Sequence, residues 1–233
     1  KFVAVTGGAS TAGAYSADGA VWTSTGALTT SGDWRALTFG NDRFVTLSYG
    51  SANSNYSTNG TSWTAGGALP ASRNWTSVVY GESTFVVVAT GTDKGAYSTD
   101  GGVGWTEMTM PSSASWSSVT YGNGRFVAVA TGPSTTAAYS DDGITWNACT
   151  LPNSRSWVAV AFGNNVFTAI ASSSTSGGAF SYDGINWQAV TTLSQTIGCM
   201  CYTPATWNSN DVLAITNNAT VTVNTDQKKF WSG

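Results

Sequence analysis

The side chains able to do chemistry in this chain come in one arrangement, stated again and again. In Tyr139-Ser140-Asp141-Asp142-Gly143-Ile144-Thr145-Trp146 a hydroxyl, an acid, a glycine and a tryptophan follow an aromatic residue. Close copies occupy residues 15–22, 56–63, 97–105 and 180–187, and a worn copy occupies 224–231. A carboxylate and a hydroxyl at this spacing have two physical uses. They are ligands for a hard cation, or they are acceptors for backbone N–H groups across a tight turn. Each copy offers one or two carboxylates, whereas a calcium site takes about six to eight oxygens. In the second copy Asn59 replaces the acid, which suits a turn and neither a metal nor a proton-transfer role. The recurring residues are therefore expected as turn fasteners: Ser16, Asp18 and Trp22; Ser57, Asn59 and Trp63; Ser98, Asp100 and Trp105; Ser140, Asp142 and Trp146; Ser181, Asp183 and Trp187. No metal and no cofactor is expected.

The rest of the chemical inventory is thin. The chain has no histidine, three cysteines and 9% charged residues with a net charge of -3. General acid–base and metal chemistry are poorly supplied by such a set. Cys199 and Cys201, two apart on a strand, point the same way without disulfide geometry, so the cysteines read as small core residues. With no basic cluster the chain is not expected to bind nucleic acid. Its apolar runs are too short to span a bilayer, so no membrane insertion is expected.

The spacing of these copies leads to the elements that must position them. Trp22, Trp63, Trp105, Trp146, Trp187 and Trp231 recur at about 41 residues, and so do Trp34, Trp75, Trp116 and Trp157, and Gly40, Gly81, Gly122 and Gly163. A period of this length, rich in Gly, Ser, Thr and β-branched residues, is the signature of β-propeller blades, each a four-stranded antiparallel sheet. One period reads as an inner strand over 116–121, a turn at Gly122-Asn123-Gly124, a second strand over 125–131, a third over 136–140, the box turn, and an outer strand over 144–149. Residues 151–155 then cross to the next blade, with Pro152 outside the sheet. The expectation is an all-β chain, 1–233 as one propeller domain, most consistent with six blades. The first blade lacks its inner strand, which lies upstream of Lys1 or is missing. A five-bladed count would discard residues 212–231, and a seventh blade needs a longer absent piece. The last inner strand, Ile197-Gly198-Cys199-Met200-Cys201-Tyr202, departs from the Trp-led pattern, as a closing repeat often does.

The pattern Ser-x-Asp-Gly-x-x-Trp resembles the Asp-box, or BNR repeat, of sialidases and related propellers, over nearly the whole chain. The family motif sets one residue between Asp and Gly. Residues 98–105 keep that spacing, while Asp18-Gly19, Asp142-Gly143 and Asp183-Gly184 are adjacent. The resemblance implies a propeller, and it implies that a sialidase-type site lies on the face opposite the boxes, with an arginine cluster, a tyrosine nucleophile and supporting acids. Here most acids sit in boxes or, as Asp42 and Glu82 do, in the turn after the inner strand. Asp33, Asp93 and Glu107 do not form a periodic pair suited to glycoside hydrolysis. A hydrolase is thus the weakest of three readings, and the chain is read as non-enzymatic.

The opposite face carries the other candidates. Trp34-Arg35, Arg73-Asn74-Trp75, Trp116 and Arg155-Ser156-Trp157 bring rings, guanidinium groups and an amide to the start of successive inner strands. Rings with polar neighbours suit sugars, whose C–H faces stack while their hydroxyls hydrogen-bond. The competing reading is that these rings wedge between blades and the arginines only hydrate the rim. Variable loops such as 92–94 and 132–135 flank them. Low charge with repeated boxes also resembles propeller modules of tailed-phage virion proteins and bacterial surface proteins. That resemblance implies an extracellular or virion-surface location, with a glycan or surface receptor, or other virion or surface-assembly proteins, as partner.

Overall fold

The computed structural model describes residues 1–172 and 177–190. The sixth copy of the repeat, with Ile197 to Tyr202, Cys199, Cys201 and Trp231, lies outside the described residues. Among those described there is no helix. Five antiparallel blade-like sheets follow one another along the chain, the third and fourth joined into one seven-stranded sheet by a long shared strand. The first holds β1 (Phe2–Val5), β2 (Gly13–Ser16) and β3 (Thr23–Ser24). The second holds β4 (Asp33–Gly40), β5 (Arg43–Tyr49), β6 (Ser54–Ser57) and β7 (Thr64–Ala65). The third holds β8 (Trp75–Gly81), β9 (Thr84–Ala89), β10 (Thr92–Ser98) and the start of β11 (Thr106–Gly122). The fourth takes the end of β11 with β12 (Arg125–Thr131), β13 (Ser134–Ser140) and β14 (Asn147–Arg155). The fifth holds β15 (Trp157–Gly163), β16 (Val166–Ala171), β17 (Gly178–Ser181) and β18 (Gln188–Val190).

Each inner strand and its neighbour join through a two-residue turn with both residues at positive φ: Asn41 and Asp42, Glu82 and Ser83, Asn123 and Gly124, Asn164 and Asn165. Turns of that kind match the right-handed twist of the strands they connect. The crossings are more regular than the sequence implies. β11 remains extended through Pro111, and β14 includes Pro152, which was expected outside the sheet. Both prolines fall where the ladder slips: Lys94 pairs with Thr109 but Thr92 with Ala114, and Thr136 pairs with Thr150 but Ser134 with Arg155. A bulge needs no N–H from the skipped residue, so proline is tolerated there.

Packing between sheets follows the alternation of the second strand. Val45 and Leu47 pack with Trp75, Phe85 and Val87 of the next sheet, Val86 and Val88 with Trp116, Phe126 and Ala128, and Val127 and Val129 with Trp157, Phe167 and Ala169. Near the centre, Gly40, Gly81 and Gly122 are close-approach positions. A β-carbon there would come 2.0, 2.2 and 2.0 Å from the rings of Tyr80, Tyr121 and Phe162 of the following sheet. This explains the period of the glycines, since any side chain would drive adjacent inner strands apart.

The boxes fasten the outer hairpins as their residue types imply. Ser140 Oγ donates to Asp142 Oδ1 and accepts the N–H of Gly143, while Asp142 Oδ1 accepts the N–H groups of Ile144 and Thr145. The same set recurs at Ser16 and Asp18, at Ser181 and Asp183, and with Asn59 Oδ1 in place of the carboxylate. The longer copy is accommodated by one extra glycine, with Gly102, Val103 and Gly104 supplying the N–H groups to Ser98 and Asp100. Trp63 and Trp146 are buried, at 8% and 7% exposure. Trp22 departs from this pattern at 45%, because no preceding sheet among the described residues packs on it.

Cations clasp one box to the sheet before it. Lys1 Nζ donates to Asn59 O, Arg43 to Gly101 O and Arg125 to Asp183 O, and each cation lies over the tyrosine of its own sheet. At Asp183 burial pushes the carboxyl pKa up, but the bonds from Asn186, Ile185 and Ser181 outweigh it and hold the group below the usual carboxylate range. Asp142 is lowered by the same balance of burial against bonds from Thr145, Ile144 and Ser140. A depressed folded-state pKa gives stability that is complete above the unfolded value of about 3.9 and is lost as pH falls below it. Melting temperature is therefore expected to decline below about pH 4. Asp183→Asn, which copies the native Asn59 turn, should flatten that decline in calorimetry between neutral and acid pH. An unchanged acid limb would contradict it.

Candidate functional site

In each up-and-down sheet the box turns and inner hairpin turns lie at one end, and the crossings with the second-to-third-strand loops lie at the other. The crossing end gathers all eight candidate residues. Each inner strand begins there with a bulge after its tryptophan, where the register slips between Trp34 and Ala36, Trp75 and Ser77, Trp116 and Ser118, and Trp157 and Ala159. The bulge re-aims the intervening residue out of the ladder.

The four tryptophans do not present their rings to a ligand. Trp34, Trp75, Trp116 and Trp157 are 1%, 0%, 0% and 0% exposed. The aromatic platform expected on this face is corrected: the rings wedge between sheets, which buries about 150 to 250 Å² of each. Their indole N–H groups show how they are held. Trp34 donates to Ser10 O in a loop of the first sheet and Trp157 to Ser134 O at the start of β13, both at 3.0 Å, and Trp116 donates to Ser112 O at 3.3 Å. Trp75 Nε1 is buried without an acceptor, and so is Nη1 of Arg73 beside it.

The polar candidates divide by what already engages them. Arg73 donates through Nη2 to Glu107 Oε2 at 2.6 Å and lies over the Trp75 ring. Its backbone carbonyl accepts the N–H of Gly50, which ties the crossing to the second sheet. Asn74 is exposed, with its carbonyl accepting from Thr90 N. Arg155 is half-buried and fills the space beside Gly177, where a β-carbon would meet its side chain at 2.4 Å. The Arg73 side chain is thus engaged within the third sheet, and that of Arg155 at the joint with the fifth.

Arg35 is different. It stands at the bulge where Thr76 and Ser117 in the next two sheets use a hydroxyl to clasp the following tryptophan carbonyl, at 2.8 Å in both cases. The second sheet has a guanidinium in place of that hydroxyl. Its side chain is 54% exposed, bonded to Asp33 at 2.7 Å and stacked 4.2 Å from the centre of the Tyr49 ring. The other oxygen of Asp33 accepts the N–H of Gly8 at 2.7 Å, so the acid is held from the first sheet as well. The bond to Arg35, then that from Gly8, lowers the Asp33 pKa against a smaller effect of burial, and the bond to Asp33 raises that of Arg35. The result is an exposed cation whose stem and head are positioned before any ligand arrives. Sequence reading named Arg35 but not Tyr49 or Asp33 as its partners, since the pairing depends on the bulge.

Other described acids, apart from Asp42, are engaged as well. Glu82 accepts from the Tyr121 hydroxyl, whose pKa is pushed up to about 12 by burial and by that bond, Asp93 pairs with Lys94, and Asp141 with Arg125. Burial pushes the Cys149 thiol up to about 11, as befits a packing residue. Among the described residues no group of three or more His, Cys, Asp or Glu side chains is placed to hold a metal ion.

No family model and no curated protein sequence matches the chain. Solved structures do. A virginiamycin B lyase from Staphylococcus aureus is 11% identical with a TM-score of 0.68, over 78% of this chain and 63% of the lyase. YCF48 bound to D1 peptide is 16% identical with a TM-score of 0.58, over 82% and 64%. The computationally designed Ika8 protein is 12% identical with a TM-score of 0.59, over 87% and 66%. The chain thus spans less than two thirds of the first of these in length. At such identities the likeness concerns architecture, and the fold is a β-propeller.

The indole bonds generate a graded expectation. Trp157→Phe removes a made hydrogen bond and leaves Ser134 O without its donor, whereas Trp75→Phe removes a donor that has no acceptor. Trp157→Phe should cost about 1 to 2 kcal/mol more than Trp75→Phe in denaturant unfolding. Equal losses would show that the indole N–H groups do not distinguish the joints.

Proposed function

We propose that the chain is a non-enzymatic recognition module that binds a glycan or receptor at the crossing end, with Arg35 as the contact, on a virion or cell surface. The observation that carries this is the replacement of a joint-clasping hydroxyl by an exposed, prepositioned guanidinium on Tyr49. An arginine stacked on a ring offers bidentate donors beside an apolar edge, the combination that sugar hydroxyls and acidic sugars take. The engagement of most other described acids by turns, cations or a tyrosine hydroxyl supports a binding role over a hydrolytic one.

A second reading, an assembly or decorating protein without a small ligand, is favoured by a separate observation. Val103, Ile144 and Tyr182 are exposed by 46%, 39% and 63% in three successive box turns. Exposed apolar side chains on neighbouring turns suit a protein partner.

A glycan array with the intact chain and Arg35→Ala separates the two. Recognition predicts saccharide hits that weaken at least about tenfold in the variant, roughly 1.4 kcal/mol, with an unchanged melting temperature. Hits that Arg35→Ala retains in full, or an array silent for acidic and neutral sugars alike, would overturn the Arg35 assignment.

A further inference from the structure

The surroundings of Arg35 reach across the joint into the third sheet. Tyr49, on which the guanidinium stacks, is followed by Gly50 at a φ of 74°. A β-carbon at Gly50 would lie 3.8 Å from Asn74 Oδ1, so the Asn74 amide stands beside the turn that carries the Tyr49 ring. The backbone around Asn74 is tied on both sides. Gly50 N–H donates to Arg73 O and Thr90 N–H to Asn74 O, each at 3.0 Å. Its side chain is exposed, and neither the Asn74 amide nor the Tyr49 hydroxyl is hydrogen-bonded among the described residues.

Charge at this end is already balanced. Arg35 meets Asp33 at 2.7 Å, and Asp33 is pinned in turn by Gly8 N–H. The charges that the third sheet brings to the crossing end are paired too, Arg73 with Glu107 at 2.6 Å and Lys94 with Asp93 at 3.5 Å. An anion on the Arg35 guanidinium would lie beside the Asp33 carboxylate, and like charges at that range repel. The groups left for a ligand favour a hydroxyl instead. The other Arg35 N–H groups only donate, whereas a phenol and an amide both donate and accept. A carboxylate or sulfate only accepts and leaves half of that capacity unused; a sugar hydroxyl does both.

We infer that the ligand is an uncharged saccharide, held by Asn74 as well as by Arg35 and the Tyr49 hydroxyl, an inference that rests on the recognition role proposed above and gives it a ligand class. The contact spans two sheets, so a single sugar unit reads the Arg35 bulge and the neighbouring crossing together.

An array carrying the same saccharide cores in neutral, sialylated and sulfated forms tests this with the intact chain, Arg35→Ala and Asn74→Ala. Neutral members are expected to bind, and Asn74→Ala should weaken them at least about threefold, as loss of one hydrogen bond does, with an unchanged melting temperature. Titration of the best neutral hit should show a Kd that moves less than about twofold between roughly 0.05 and 0.5 M salt, because no net charge is engaged. If Asn74→Ala lowers the melting temperature, Asn74→Asp takes its place; it keeps the size, removes the amide donors and should show the same loss. Hits confined to sialylated or sulfated members and lost in Arg35→Ala would overturn the uncharged class while leaving the recognition role standing. Neutral hits that both Asn74 variants retain in full would overturn Asn74 as a contact. An array silent throughout would remove the recognition role and this inference with it.

Discussion

The structure depends on the inner-strand tryptophan wedged between one sheet and the next. Trp34, Trp75, Trp116 and Trp157 each begin a strand, bury their rings almost completely, and precede a bulge that turns one residue toward the neighbouring joint. A repeat that cannot bury its own faces is stable only through its neighbours. In this chain those joints combine three contacts at different radii. Near the centre a glycine receives the next aromatic ring, in the middle the tryptophan and alternating valines interlock, and toward the outside a cation or a valine meets the next box. The spacing of 41 residues is the outcome of satisfying all three at once.

One joint departs from that scheme. At the bulge after Trp34 the hydroxyl clasp seen at Thr76 and Ser117 gives way to Arg35, and the joint is instead tied through Asp33 to Gly8. The bulge that gives Thr76 and Ser117 their reach holds Arg35 where solvent and the Tyr49 ring meet. Arg73 and Arg155, which look equivalent in sequence, are engaged by Glu107 and Trp75 in one case and packed against Gly177 of the next sheet in the other. The difference in exposure follows position: Arg35 comes after its tryptophan, at the bulge, whereas Arg73 and Arg155 come before theirs.

Much of the architecture was legible because its causes are local. The pairing of Ser140 with Asp142 depends on residues two apart, and the Asn59 copy already shows that the acid serves a turn. The glycine period was visible too, although its reason, a ring of the next sheet, was not. Where sequence reading failed, the cause was non-local. The burial of Trp116 depends on sheets on either side of it, so a ring at a strand start looked available for stacking. Pro152 was placed outside the sheet because the ladder slip that accommodates it has no sequence marker. The Arg35 and Tyr49 stack joins two strands whose register is shifted by the bulge, and no motif announces it.

The central claim is that the inner-strand tryptophans are joints and that the surface chemistry belongs to the residues around them. Fluorine NMR of the chain labelled with 5-fluorotryptophan tests this most directly, with resonances assigned by single substitutions and compared in light and heavy water. The account predicts no solvent isotope shift for Trp34, Trp75, Trp116 and Trp157 in the folded chain. A full solvent shift at any of these four would contradict it, because that ring would then face water and the joint it is said to form would not exist.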